Sequence, residues 1–261
     1  MMNGLQPTWQ VPATIHAFSS KRSGGVSRGG YAGLNLGAHV GDVPERVAHN
    51  RSLLAATLQL PSVPCWLQQV HGPAVVEITA AYGRNDSADA VGNLIPYAIA
   101  DGAYTSSPEV VLAVLTADCL PVLLASQDGK EVAALHCGWR SIAGNIIAHG
   151  VRRFAAAPNQ LHAWLGPAIG PQQFAVGAEV RAAMLALHPS LSSAFIANTQ
   201  QILPGPYLAD IYALARLLLQ LAGVHHISGG EHCTVSQPDD FFSYRRDGET
   251  GRMASLIWRS A

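Results

Sequence analysis

Apolar positions along this chain fall mostly in short runs, with a few longer helical stripes between them. Residues 13–19 alternate well enough to predict a strand. A polar, glycine-rich loop over 21–37 follows, opening with Arg22-Ser-Gly-Gly-Val-Ser. Such a loop is either flexible or wrapped close to a ligand. A helix is predicted over 44–60: Pro44 sits near the first turn, Val47, Leu53, Leu54 and Leu58 share a face, and Pro61 lies just past the end. Residues 65–78 predict two short strands around a turn at His71-Gly72-Pro73, and a polar stretch follows at 85–93. From 98 to 136 the pattern is strand-rich. The runs 110–115, 121–125 and 131–135 have the unbroken apolar character of buried strands. Asp128-Gly129 marks a hairpin turn between the last two. Beyond these come a helix over 139–156, a strand over 161–165, helices over 177–187 and 208–221, and a final strand over 253–258. Gly223 stands where a left-handed residue closes the last helix. Strands and helices mix along the whole length without a linker or repeat. This predicts one α/β (α+β) domain spanning 1–261, built on mixed sheets.

Composition narrows the function classes. The 261 residues are 49% hydrophobic and 13% charged, too apolar for a disordered chain and enough for a large core. The net charge of -1, with 16 scattered Lys and Arg, argues against a nucleic-acid surface. No apolar run reaches the ~18–20 residues of a membrane span; the longest candidate, 110–125, is broken by Asp118 and Pro121. The start lacks the basic and apolar regions of a signal peptide, so the expected location is the cytoplasm. Cys65, Cys119, Cys137 and Cys233 contain no Cys-x-x-Cys, and a reducing compartment favours free thiols. Cys65 and Cys233 read as core residues.

Three segments concentrate chemistry: Gln68-Gln-Val-His-Gly72, Thr116-Ala-Asp-Cys-Leu-Pro121 and Leu135-His-Cys-Gly-Trp-Arg140. Each puts a borderline-soft ligand at the end of a strand-like run, where a scaffold presents groups to a cleft. Catalytic zinc sites use three protein ligands, drawn from imidazole, thiolate and carboxylate, and leave a fourth position open. His71, Cys119 and His136 supply such a set, although their spacings of 48 and 17 residues match no contiguous zinc signature. A turn histidine, a small buried thiol and a strand-end histidine bonded to backbone are the plain structural readings of the same residues. Cys137 competes with His136, and Asp118 with Cys119. Neighbours on a strand face opposite ways, so one of each pair lies outside the ligand set.

Five motifs in fixed order resemble the YfiH family: Gln69-Val-His-Gly72, Leu115-Thr-Ala-Asp-Cys-Leu-Pro-Val-Leu-Leu124, His136-x-Gly-Trp-Arg140, Leu165-Gly-Pro-Ala-Ile-Gly170 and Phe242-Ser-Tyr-Arg-Arg-Asp-Gly248. The resemblance runs from the Arg22-x-Gly-Gly loop to Thr250-Gly-Arg-Met253. Members have been described as laccase-type polyphenol oxidases, purine nucleoside phosphorylases and peptidoglycan editing factors. The resemblance implies a four-layer α/β/β/α fold and one zinc ion on His71, Cys119 and His136. It removes Cys137, which stands where the family usually has alanine; Ser141 and Asn145 stand where glycine is usual. It also implies purine nucleosides and phosphate as small-molecule partners. The implied reactions are phosphorolysis of adenosine, inosine, guanosine or methylthioadenosine, and deamination of adenosine. The expected assembly is a monomer or weak homodimer.

Zinc with an open position activates water, which suits attack on C6 of adenosine. Arginine forks suit phosphate, and Arg22, Arg51, Arg140, Arg245 and Arg246 are candidates. Arg140 is best placed, four residues after His136 at the start of a predicted helix. Asp118 is a candidate orienter of a histidine ligand or a general base. Asn35 and Gln69 are candidate substrate contacts. Three alternatives compete. A copper polyphenol oxidase needs clustered histidines, yet only His225-His226 are adjacent. A hydrolase acting on a peptidoglycan precursor would use Cys119 as nucleophile and His136 as base. A non-enzymatic metal-binding module would need a closed site.

Overall fold

Two mixed sheets packed face to face form the centre of the computed structural model, which describes residues 4–80, 98–199 and 203–261. The polar stretch at 85–93 lies outside the described residues. The first sheet takes the order β1 (Gly4–Leu5), β2 (Ile15–Ser20), β14 (Met253–Arg259), β6 (Leu112–Thr116), β3 (Cys65–Trp66). The second is β13 (His226–Gly229), β9 (Leu161–Leu165), β7 (Leu120–Ser126), β8 (Val132–Cys137), β5 (Gly102–Thr105), β4 (Val75–Glu77). Most pairings are antiparallel, but β3 runs parallel to β6, β4 to β5 and β13 to β9. A small third sheet orders β10 (Ala175–Val176), β12 (Tyr207–Ala209), β11 (Phe195–Ala197).

The buried clusters define the layers. Leu112, Val114 and Ile257 from the first sheet meet Leu123, Ala134 and Trp164 from the second. On the outer face of the first sheet, Leu54 of α1 (Pro44–Leu58) packs with Phe18, Trp66 and Leu256. On the outer face of the second, Val122, Leu124 and Leu135 pack with α2 (Trp139–Ala143), α3 (Ile146–Val151), α4 (Ala178–Leu187) and α5 (Ile211–Leu221). The order is therefore helix, sheet, sheet, helix, the four layers the resemblance implies. Full burial of each such aliphatic side chain contributes about 1.5–3 kcal/mol. Among the described residues, no helix is long and apolar enough to cross a membrane.

Several elements differ from expectation. The strands predicted around His71 both exist, but β3 joins the first sheet and β4 the second. The runs 110–115 and 121–125 part in the same way, as β6 and β7. The helix predicted over 139–156 is two short helices. Asn145 breaks it in a left-handed conformation (φ 65°), and a side chain at Gly144 would press on Pro73. The helix predicted from 208 starts at Ile211, because Asp210 accepts from the Ala213 N–H (2.9 Å) while residues 207–209 pair as β12. Gly223 does take the left-handed conformation after α5 (φ 89°). Cys65 is a core residue, whereas Cys233 is only half-buried, its sulfur accepting from the Gly170 N–H at 3.2 Å. The strands β10, β11 and β13 and helix α6 (Tyr244–Asp247) are too short to show a period in the sequence.

Candidate metal centre

Two of the three candidate ligands sit where the chain crosses between the sheets. His71 lies between β3 and β4, in a turn that holds it left-handed (φ 60°). Cys119 lies between β6 and β7, just after Asp118 (φ 88°). His136 is near the end of β8. Their ligand atoms all lie within 4.8 Å of one another. Cys119 Sγ is 3.8 Å from His71 Nε2, and the two imidazoles meet edge to face at 4.8 Å between centroids. Gly138 leaves room for this: a Cβ there would come within 3.0 Å of both Cys119 Sγ and His71 Cδ2. Cys137 is buried in the helix-side core, on the opposite face from His136, and burial pushes its thiol well above the usual range.

Burial opposes charge on both Cys119 and His136, yet each favours the charged form of the other. With His71 helping, the Cys119 thiol is brought down to about 6. With Asp101 helping, His136 is brought up to about 9. Asp101 is buried and bonds His136 Nδ1 at 2.8 Å. It carries no motif signal; a lone carboxylate opening an apolar strand was the only hint. Burial works against its ionisation, but His136 and the Gly72 and Val70 N–H groups hold it below its usual value. Asp118, the expected orienter, hydrogen-bonds to neither histidine among the described residues. Its carboxylate accepts from Thr234 Oγ1 (2.5 Å) and the Arg245 N–H (2.6 Å), tying the Cys119 loop to α6.

The ligands open into a cavity of about 530 Å³, within the usual range for small-molecule sites. Trp139, Phe174 and Tyr244 supply aromatic wall; Arg140, Arg245 and Arg252 supply positive charge. Gln69 lines it too, but its amide is spent on the Leu115 backbone, at 2.7 and 2.8 Å. The other candidates are elsewhere. Arg22 donates to the Pro238 carbonyl and stacks on Phe242. Arg51 donates to the Leu36 carbonyl over Trp66. Arg246 is taken up by the Thr234, Val235 and Phe241 carbonyls and by Asp247. Asn35 is buried and braces Gly37, Asp42 and the Arg252 N–H. Arg252, which the sequence marked only as part of the motif ending the resemblance, and His39, which it did not mark, also line the cavity. A larger cleft of about 770 Å³ beside the β7–β8 hairpin holds no such cluster, and its Glu131 is satisfied by Tyr104, Ala155 and Ala156.

Fold and site together define a mixed α/β protein whose cavity, lined by three arginines, contains a His–Cys–His cluster with the spacing to hold a metal. The chain belongs to the YfiH family, whose model, described as "Multi-copper polyphenol oxidoreductase laccase", matches residues 16–260. It is 48% identical over 256 residues to "Purine nucleoside phosphorylase YfiH" of Escherichia coli (strain K12), covering 97% of this chain and 98% of that one. It is 42% identical to "Purine nucleoside phosphorylase" of Haemophilus influenzae, covering 98% and 99%. The crystal structure of a DUF152 protein from Neisseria meningitidis superposes with a TM-score of 0.88 at 42% identity, covering 99% and 100%. That of YlmD from Geobacillus stearothermophilus gives 0.85 at 33% identity, covering all of both chains.

Proposed function

We propose that this chain is a zinc-dependent purine nucleoside phosphorylase that also deaminates adenosine. The observation that carries the reading is that the His71–Cys119–His136 cluster and three arginines line one cavity. The names of the relatives support the substrate class. Two imidazoles and a thiolate suit zinc, and three protein ligands leave a position for chemistry. A multi-copper centre would need further ligands, and this is the sole such cluster among the described residues. Bound there, the ion supplies a Lewis acid.

The chain's own residues do the rest. Trp139, Phe174 and Tyr244 offer flat faces for a purine. Arg245 is held by the Gln173 and Ala175 carbonyls and Arg252 by those of Thr250 and Gly251, so both guanidinium groups are pre-set before an anion arrives. In phosphorolysis a phosphate oxygen bonds to C1′ as the glycosidic bond breaks, its electron pair leaving with the base. Positive charge around phosphate holds the nucleophile in place.

Purified protein with about one zinc per chain should convert adenosine to adenine and ribose 1-phosphate only when phosphate is present. Arg252→Ala should raise KM for phosphate about tenfold, the loss of one charged hydrogen bond, and leave phosphate-independent deamination far less affected. Zinc-replete protein that turns over no purine nucleoside would sink the reading. A cysteine hydrolase is the second reading, favoured by the lowered Cys119 thiol beside His136. It requires Cys119 to be alkylated readily by iodoacetamide in the zinc-loaded protein.

A further inference from the structure

Among the described residues, the Asp101 carboxylate meets four donors. Its Oδ1 accepts from His136 Nδ1 (2.8 Å) and the His71 N–H (2.9 Å); its Oδ2 accepts from the Gly72 N–H (2.7 Å) and the Val70 N–H (3.1 Å). Its backbone carbonyl also accepts from the His136 N–H at 2.7 Å. Only a carboxylate satisfies all four side-chain contacts, because an amide would turn its NH2 group toward two of the donors.

We propose that Asp101 is the positioning residue that assembles the metal centre, setting the His136 tautomer and the His71 turn through one carboxylate. With a proton on Nδ1 directed at Asp101, Nε2 of His136 is left as its ligating nitrogen. On the other side, three successive N–H groups close on the same carboxylate and hold His71 left-handed, a conformation that costs roughly 1–2 kcal/mol in a residue with a side chain. Two ligands 65 positions apart in the chain are thereby fixed to one buried group. This rests on the metal-centre part of the proposed function and not on the identity of the substrate.

The test is zinc binding by the metal-stripped full-length chain, in competition with a chromophoric chelator and without nucleoside. Asp101→Asn nearly preserves volume but not the acceptor set, and should weaken zinc binding about 10–100-fold. Nitrogen-15 NMR of the His136 ring adds a readout that a purely structural role would leave unmoved. In the zinc-loaded protein the wild-type ring should carry its one proton on Nδ1, and Asp101→Asn should shift that population toward Nε2. Wild-type zinc affinity in Asp101→Asn overturns the proposal. So does a zinc-loaded wild-type His136 protonated on Nε2, a result that holds even if the variant fails to fold. Neither result bears on whether nucleosides are turned over.

Discussion

At the scale of single residues, the metal centre is shaped as much by an absent side chain as by its ligands. Gly138 has an ordinary extended backbone (φ -68°, ψ 161°), so alanine is tolerated there conformationally. What alanine would meet is Cys119 Sγ and His71 Cδ2, each at 3.0 Å. Gly138→Ala should therefore lower zinc content and weaken zinc affinity at least tenfold while leaving the melting temperature of the metal-free protein within a few degrees of wild type. Metal analysis beside thermal denaturation separates the two effects; unchanged zinc affinity would show that the ligands shift freely. The three candidate ligands were legible only through the motifs that carry the family resemblance, because their spacings match no zinc signature. Asp101 was not, because its partners lie some 30 positions away on either side. The arginines were only half legible: nothing in the sequence tells that carbonyls consume Arg246 or that Trp66 covers Arg51.

At the scale of elements, the helix predicted over 139–156 is broken at Asn145. Asparagine tolerates the left-handed region better than most residues, and glycine better still. Asn145→Gly should leave stability within about 1 kcal/mol of wild type, whereas Asn145→Val should cost about 1–2 kcal/mol or more. Urea denaturation of the two variants checks this; equal stabilities would mean that the break is not set by backbone conformation. Of the long elements, α1 was readable from its helical period and β7 from its unbroken apolar run, whereas two- and three-residue strands such as β10 and β11 offered too few positions for either. Sheet membership was also hidden. β6 and β7 are separated by only three residues and read as neighbours, but the left-handed Asp118 sends the chain into the other sheet.

At the scale of the whole molecule, that crossing makes the cluster sensitive to how the sheets pack. His71 and Cys119 each stand on a segment passing from the first sheet to the second, while His136 belongs to the second alone. A change in the inter-sheet core should thus disturb ligand spacing, whereas an equal change in the helix layer should not. Leu123 is fully buried between the sheets, on the strand that follows Cys119. Leu191 is equally buried but packs on the helix side of the second sheet. Replacing either with alanine should cost about 2–5 kcal/mol of stability. Only Leu123→Ala should also raise the zinc dissociation constant of the folded protein severalfold, measured by chelator competition under conditions where both variants are native. If the two variants bind zinc equally well, the ligands are set locally by their own turns, and sheet packing serves stability alone.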